Sequence, residues 1–144
     1  MRTLILDTET TGRTDPQAIE IAWAELLDCH SLTVGDHGSQ RYQPSKAIEF
    51  GAMATHHILP SDLEGCPPSS SYSLPANCTY LIGHNVDYDW TVIGKPEVKR
   101  ICTLAMARTL WPDTDSHTLS ALMYFLSRNQ ENTRTALQKA HSAL

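Results

Sequence analysis

Asp7 and Glu9 stand one residue apart at the end of a short apolar run, and Thr10, Thr11 and Gly12 follow at once. The short run Arg2-Thr3-Leu4-Ile5-Leu6 is apolar and branched enough for a buried strand. Successive strand residues alternate faces, so the two carboxylates share one. Like charges this close repel, and removing them from water adds to the cost. A divalent cation relieves both effects, and Mg²⁺ and Mn²⁺ take oxygen ligands. Thr-Thr-Gly supplies a turn that lets backbone or ligand approach closely. Alone, an Asp-x-Glu pair is more often a solvated strand end or a helix N-cap.

A second acidic cluster, His84-Asn85-Val86-Asp87-Tyr88-Asp89, follows the apolar run Thr79-Tyr80-Leu81-Ile82. Carboxylates distant in sequence converge when both sit at strand ends of one sheet, where open α/β sheets bind ligands. Without that convergence, His84-Asn85 is a turn and Asp87 a helix N-cap.

The elements between the clusters decide which reading applies. Residues 18–27 alternate Ile19, Ile21 and Trp23 with smaller residues and read as a strand, a short helix being the alternative. Gly35-Asp36-His37-Gly38-Ser39 is rich in turn formers and predicts a hairpin into Gln40-Arg41-Tyr42-Gln43. A helix is expected over residues 46–56, a mobile Pro/Ser-rich surface loop over 61–77, and a strand at 79–82. A short helix should start near Val86 and stop by Gly94-Lys95-Pro96, and residues 100–103 read as a fourth central strand. Helices follow over 104–111, ended by Pro112; over 119–127, capped by Ser116 or Thr118; and from Asn132 or Thr133 to the C-terminus. A strand meander followed by strand–helix alternation makes an α/β domain with a mixed sheet.

At 144 residues, 41% hydrophobic and 19% charged, the chain suits one globular domain with a real core. No apolar run is long enough to span a membrane and no signal-peptide pattern opens the chain, so a cytoplasmic protein without a membrane partner is expected. Cys29, Cys66, Cys78 and Cys102 are scattered, without zinc spacing, and are expected as reduced thiols. The net charge of −5 argues against binding nucleic acid by bulk electrostatics, yet metal-binding carboxylates count as negative until ions arrive. Arg13, Arg41, Lys95, Lys99, Arg100 and Arg108 form no basic run, so non-specific affinity should be modest and salt-sensitive. Trp23, Trp90 and Trp111 read as core rather than as base-stacking platforms.

Taken together the motifs resemble those of the DnaQ-like 3′–5′ exonucleases, in the family's order. Asp7-Thr8-Glu9-Thr10-Thr11-Gly12 is similar to the first exonuclease motif, and Gly83-His84-Asn85-Val86-Asp87-Tyr88-Asp89 to the second, His-Asn-x-x-Phe-Asp. That pattern selects Asp89 over Asp87 and puts Tyr88 in the aromatic slot. Ala52-Met53-Ala54-Thr55-His56-His57-Ile58 resembles the helix bordering the terminal nucleotide, and Ala107-Arg108-Thr109-Leu110-Trp111-Pro112 resembles the exodeoxyribonuclease X branch. Lys139-Ala140-His141-Ser142-Ala143-Leu144 is similar to the start of the third motif, His-x-x-x-x-Asp; its aspartate would fall two residues past Leu144.

The resemblance implies an RNase H-like fold, a central mixed sheet flanked by helices, with residues 1–144 as one exonuclease domain lacking the end of its last core helix. It implies two Mg²⁺ or Mn²⁺ ions on Asp7, Glu9 and Asp89, and His141 as general base, a role suited to a group that titrates near neutrality. Thr10, Thr11 and Gly12 would meet the terminal nucleotide, His56 and Ile58 would line the base pocket, and Asn85 would brace the backbone. The expected substrate is a DNA 3′ end, single-stranded ends first, with RNA possible on the same fold. The alternative is an impaired or truncated relative that binds nucleic-acid ends or a protein partner.

Overall fold

The computed structural model describes residues 1–142, with side chains through Ala140. It divides into two compact units, Met1–Cys102 and Thr103–Leu144. The first unit holds strands β1 (Arg2–Thr10), β2 (Ala18–Asp28), β3 (Thr33–Arg41), β4 (Cys78–Gly83) and β5 (Lys99–Cys102), with helices α1 (Phe50–His56) and α2 (Val86–Val92). The strands form one sheet in the order β3-β2-β1-β4-β5. β1 pairs antiparallel with β2 and parallel with β4, β2 pairs antiparallel with β3, and β4 parallel with β5. This is the mixed sheet expected from the sequence. β5, however, is an edge strand and not a central one; Lys99, Arg100 and Ile101 are exposed on it.

Alternation along β1 sets the rest. Leu4, Leu6, Thr8 and Thr10 are buried on one face, while Ile5, Asp7 and Glu9 lie on the more open one. Leu4 and Leu6 pack with Ile21, Leu81 and Val86, flanked by Trp23 and Trp90. Each fully buried aliphatic side chain contributes roughly 1.5–3 kcal/mol of transfer free energy, enough to fix the register of β1. Ile19, Ile48, Ile58 and Leu63 form a second core cluster.

The turn predicted at residues 35–39 lies instead at residues 29–32. Asp28 makes it: its Oδ1 accepts from the His30 N–H at 2.9 Å and its Oδ2 from the Ser31 hydroxyl at 2.7 Å. Gly35 and Gly38 lie within β3, where they leave room for larger cross-strand side chains. A Cβ on Gly38 would sit 3.4 Å from the Trp23 ring, and one on Gly35 3.0 Å from Leu27. The helix expected from residue 46 starts only at Phe50, because the preceding backbone is drawn elsewhere. The Glu49 N–H donates to the Thr11 carbonyl at 2.7 Å, and Lys46 Nζ donates to the Thr14 carbonyl at 2.6 Å. The segment 61–77 is irregular but tied down rather than a free surface loop. Ser69 Oγ donates to the Ala18 carbonyl at 2.6 Å, Leu63 is buried, and Tyr72 meets Tyr42 edge-on at 6.1 Å.

The second unit is helical: α3 (Thr103–Leu110), α4 (Leu119–Leu126) and α5 (Gln130–Ser142). Thr118 caps α4, accepting from the Ala121 N–H at 3.3 Å. The last helix starts earlier than expected because Asn129 caps it, its Oδ1 accepting from the Asn132 N–H at 3.1 Å. Trp111 and Phe125 pack edge-to-face at 5.7 Å. Among the described residues no helix is long and apolar enough to cross a membrane.

Candidate active site

The parallel pairing of β1 with β4 runs only as far as Ile5 opposite Ile82, and β4 ends at Gly83. Beyond that point the edge of β1 has no strand to bond. Asn85, in the left-handed region at φ 76°, turns the chain into α2, and α2 brings Asp89 back to the vacated edge. Asp89 Oδ1 accepts from both the Thr8 N–H at 3.1 Å and the Thr8 hydroxyl at 2.7 Å. The two acidic clusters thus meet through a carboxylate that takes the place of a strand. Asp89 is 4% exposed. Asp87, two positions earlier in α2, is exposed and paired with Arg100 at 2.8 Å.

The three carboxylates share an unfavourable setting. Glu9 is pushed up to about 7, first by burial and then by Asp7, Glu20 and Asp89. Asp89 rises to about 6, chiefly through burial, with the Thr8 hydroxyl opposing and Asp7 adding to the rise. Asp7 keeps accessible surface, but the surrounding protein displaces enough bulk water to raise its carboxyl; the bond from Thr8 opposes this and Glu20 adds to it. Among the described residues no Lys or Arg is paired with any of the three. Nor are any three His, Cys, Asp or Glu side chains gathered closely enough to form a ready-made metal cage. Burial raises all three carboxyls, and neighbouring carboxylates add to the rise, against which His84 acts weakly at Asp7. Their oxygen-only donor set suits a hard divalent cation.

Next to the carboxylates, the turn at Thr10, Thr11 and Gly12 is bonded at every carbonyl. The Thr10 carbonyl lies 3.2 Å from His56 Nε2, the Thr11 carbonyl accepts from the Glu49 N–H, and the Gly12 carbonyl accepts from the Tyr88 hydroxyl at 3.0 Å. Thr10 Oγ1 lies 2.7 Å from the Tyr88 hydroxyl and 3.1 Å from the Gly12 oxygen. His56 Nδ1 accepts from the Ile58 N–H at 3.0 Å, so its proton is on Nε2, donated to Thr10. Burial lowers the His56 pKa, which keeps this neutral form. Thr11 is fully buried and exchanges two bonds with Gln17, its N–H to the Gln17 carbonyl at 3.0 Å and its Oγ1 from the Gln17 N–H at 3.1 Å. Gly12 has φ 152°, and a Cβ there would run into the Glu49 carboxylate. A groove of about 360 Å³ opens here, lined by Thr8, Glu9, Thr10, Gly12, Arg13 and Tyr88 on one side and by α1 on the other.

The structure therefore brings Asp7, Glu9 and Asp89 together and sets Thr10 and Gly12 in the groove beside Glu9, whereas Thr11, fully buried with its N–H and hydroxyl on Gln17, does not reach the groove to meet a nucleotide. His56 also lines the groove, but both of its ring nitrogens are bonded to backbone, so it holds the turn. Ile58 does not reach the groove: it is 2% exposed and packed among Ile19, Ile48 and Leu63. Asn85 makes no side-chain cap bond. The backbone of His141 belongs to α5, while its side chain, with Ala143 and Leu144, lies outside the described residues. Thr8, Glu49 and the Tyr88 hydroxyl were missed from sequence. Only Tyr88 carried a signal, a hydroxyl where the resembling motif has Phe.

No family model matches the chain. It is 30% identical to the DNA polymerase III subunit epsilon of Buchnera aphidicola over an alignment of 161 residues, covering 94% of this chain and 67% of that protein. It is 29% identical over 110 residues to exodeoxyribonuclease 10 of Escherichia coli K12, covering 75% of this chain and 48% of that protein, about half its length. Among solved structures, exonuclease X in complex with 5′-overhanging duplex DNA superposes with a TM-score of 0.69 at 26% identity, over 85% of this chain and 71% of that one. Exonuclease I of E. coli in complex with a dT13 oligonucleotide superposes with a TM-score of 0.68 at 16% identity, over 97% of this chain and 40% of that one, a likeness of fold alone. With the acidic clusters joined at one sheet edge and a relative of this similarity along most of both chains, the chain belongs to the DnaQ-like exonuclease family.

Proposed function

We propose that this protein is a 3′–5′ exonuclease that removes nucleotides from DNA ends, single-stranded ends first, in the cytoplasm. The observation that carries the reading is the gathering of Asp7, Glu9 and Asp89 with no Lys or Arg paired to them among the described residues, beside a turn whose carbonyls are all bonded. Asp7, Glu9 and Asp89 would hold Mg²⁺ or Mn²⁺. Bound ions of this kind polarise a phosphate and make an attacking water more acidic. The chain's own residues do the rest. Thr8 fixes the Asp89 carboxylate through two bonds to Oδ1. His56 and Tyr88 hold the turn against which the terminal nucleotide rests. His141, proposed from its motif, accepts the proton of the attacking water. Residues 1–144 serve as one exonuclease domain in this reading.

The test is a single-stranded DNA oligomer labelled at its 5′ end, incubated with Mg²⁺ or Mn²⁺, with Asp7→Asn in parallel. A ladder shortening from the 3′ end, absent in the variant, is the expected result. Binding without cleavage by the unaltered chain would favour the end-binding alternative, and faster cleavage of an RNA oligomer would move the substrate to RNA.

A further inference from the structure

The first unit contains four arginines, and three of them are paired. Arg2 pairs with Glu25, Arg41 with Glu20 and Arg100 with Asp87. Arg13 is the exception. It is exposed, and it has no hydrogen bond or ion pair among the described residues. Yet it lines the groove together with Glu9 and Glu49, and it is the one Lys or Arg among the residues that do. It leaves directly from Gly12, whose carbonyl is held by Tyr88, so its backbone is anchored while its guanidinium is uncommitted.

We infer that Arg13 binds a phosphate of the DNA strand, the one next to the phosphate that is cut. This deepens the exonuclease reading and rests on it. A guanidinium matches phosphate oxygens with paired donors. The phosphate to be cut belongs with Asp7, Glu9 and Asp89. Arg13 lies past Gly12, at the other end of the turn, where the next phosphate along the strand would enter a groove otherwise lined by two carboxylates. Without Arg13 that phosphate meets only like charge from Glu9 and Glu49.

The experiment measures binding of a 5′-labelled single-stranded oligodeoxynucleotide by fluorescence anisotropy, in EDTA and on the full chain carrying Asp7→Asn, so that the strand stays intact. Adding Arg13→Ala should weaken binding about 5-fold at low salt, the scale of an exposed ion pair. It should also reduce the slope of log affinity against log salt by about 0.7, the loss of one single-strand phosphate contact. Arg13→Lys should keep the slope. A methylphosphonate at the second linkage from the 3′ end should weaken binding by the Arg13 chain and add nothing to Arg13→Ala. An unchanged slope in Arg13→Ala, or independent losses from protein and DNA changes, overturns the assignment. Cleavage by the unaltered chain together with such a result overturns Arg13 alone. An unaltered chain that neither binds nor cuts overturns the exonuclease reading, and Arg13 with it.

Discussion

Along the β1–β2 ladder, carboxylates meet two different fates. Near the start of β1, Glu25 lies opposite Leu4 and is paired with Arg2 at 3.1 Å. At the far end, Glu9 lies opposite Glu20 on the same face, and Glu20 turns to Arg41 at 2.9 Å while Glu9 has no cation. Burial raises the pKa values of Glu9, Asp7 and Asp89, and neighbouring carboxylates add to the rise. The same sheet can thus neutralise a carboxylate within a residue's reach, and at one end it does not. Buried or crowded charges without partners are costly to stability, and such sites are where function is sought first.

The largest effect should come from Asp89→Asn, at the unpaired end. Thr8 can still bond the amide, so the fold should hold, while DNA cleavage falls at least ~10²-fold, the scale of a misplaced reacting group. Glu25→Gln, at the paired end, should leave cleavage nearly unchanged and cost roughly 0–1 kcal/mol of stability. Equal losses of cleavage would erase the distinction between the two ends.

The two ends of the ladder should also differ in their pH dependence. Glu9 and Asp89 bind protons more tightly when folded than when unfolded, with folded values of about 7 and about 6. The stability they contribute is therefore present below the ordinary carboxylate range and is lost as pH rises through 6 and 7. The ion-free chain should melt a few degrees lower at pH 8 than at pH 5.5, a difference on the order of 1 kcal/mol after allowance for solvent exposure. Glu9→Gln should flatten that profile, and Glu25→Gln should not. Cleavage should follow the opposite course and rise through pH 6–7, because the carboxylates must be ionised to hold ions. Thermal melts with and without EDTA, beside a pH–rate profile, check both directions.

The smallest effect concerns the turn. Tyr88→Phe keeps the ring and removes one hydroxyl, leaving the Gly12 carbonyl with only the Thr10 hydroxyl. One net hydrogen bond is worth about 0.5–1.5 kcal/mol, so KM should rise roughly 2- to 10-fold with kcat less affected. An unchanged KM would mean that the hydroxyl does not hold the turn.

What the sequence disclosed, and what it hid, follows the range of the interactions. The strand of Leu4 and Leu6 and the common face of Asp7 and Glu9 come from a period of two, which is local. The convergence of the two acidic clusters came from their places at strand ends, and the choice of Asp89 over Asp87 came from resemblance; geometry then gave the two aspartates different partners, Thr8 and Arg100. Gly35 and Gly38 misled because their smallness serves Leu27 and Trp23 on the neighbouring strand, a cross-strand need invisible to turn propensity. Ile58 was read into the groove because it follows His56 in the motif, but a left-handed residue, His57 at φ 59°, ends α1 and sends Ile58 into the core. The inward role of His56 needs both the Thr10 carbonyl and the Ile58 N–H in place, and neither pairing is written in local sequence.

Asp7, Glu9 and Asp89 are proposed to form a site whose charge a divalent ion completes. Titration of the chain with Mn²⁺ at pH 8, followed by the loss of the free-ion paramagnetic resonance signal and by the melting temperature, tests it without any DNA. Saturable Mn²⁺ binding that raises the melting temperature is expected, greatly weakened in Asp7→Asn and unaffected in Glu25→Gln. Binding that survives Asp7→Asn, or no binding at all, would contradict it.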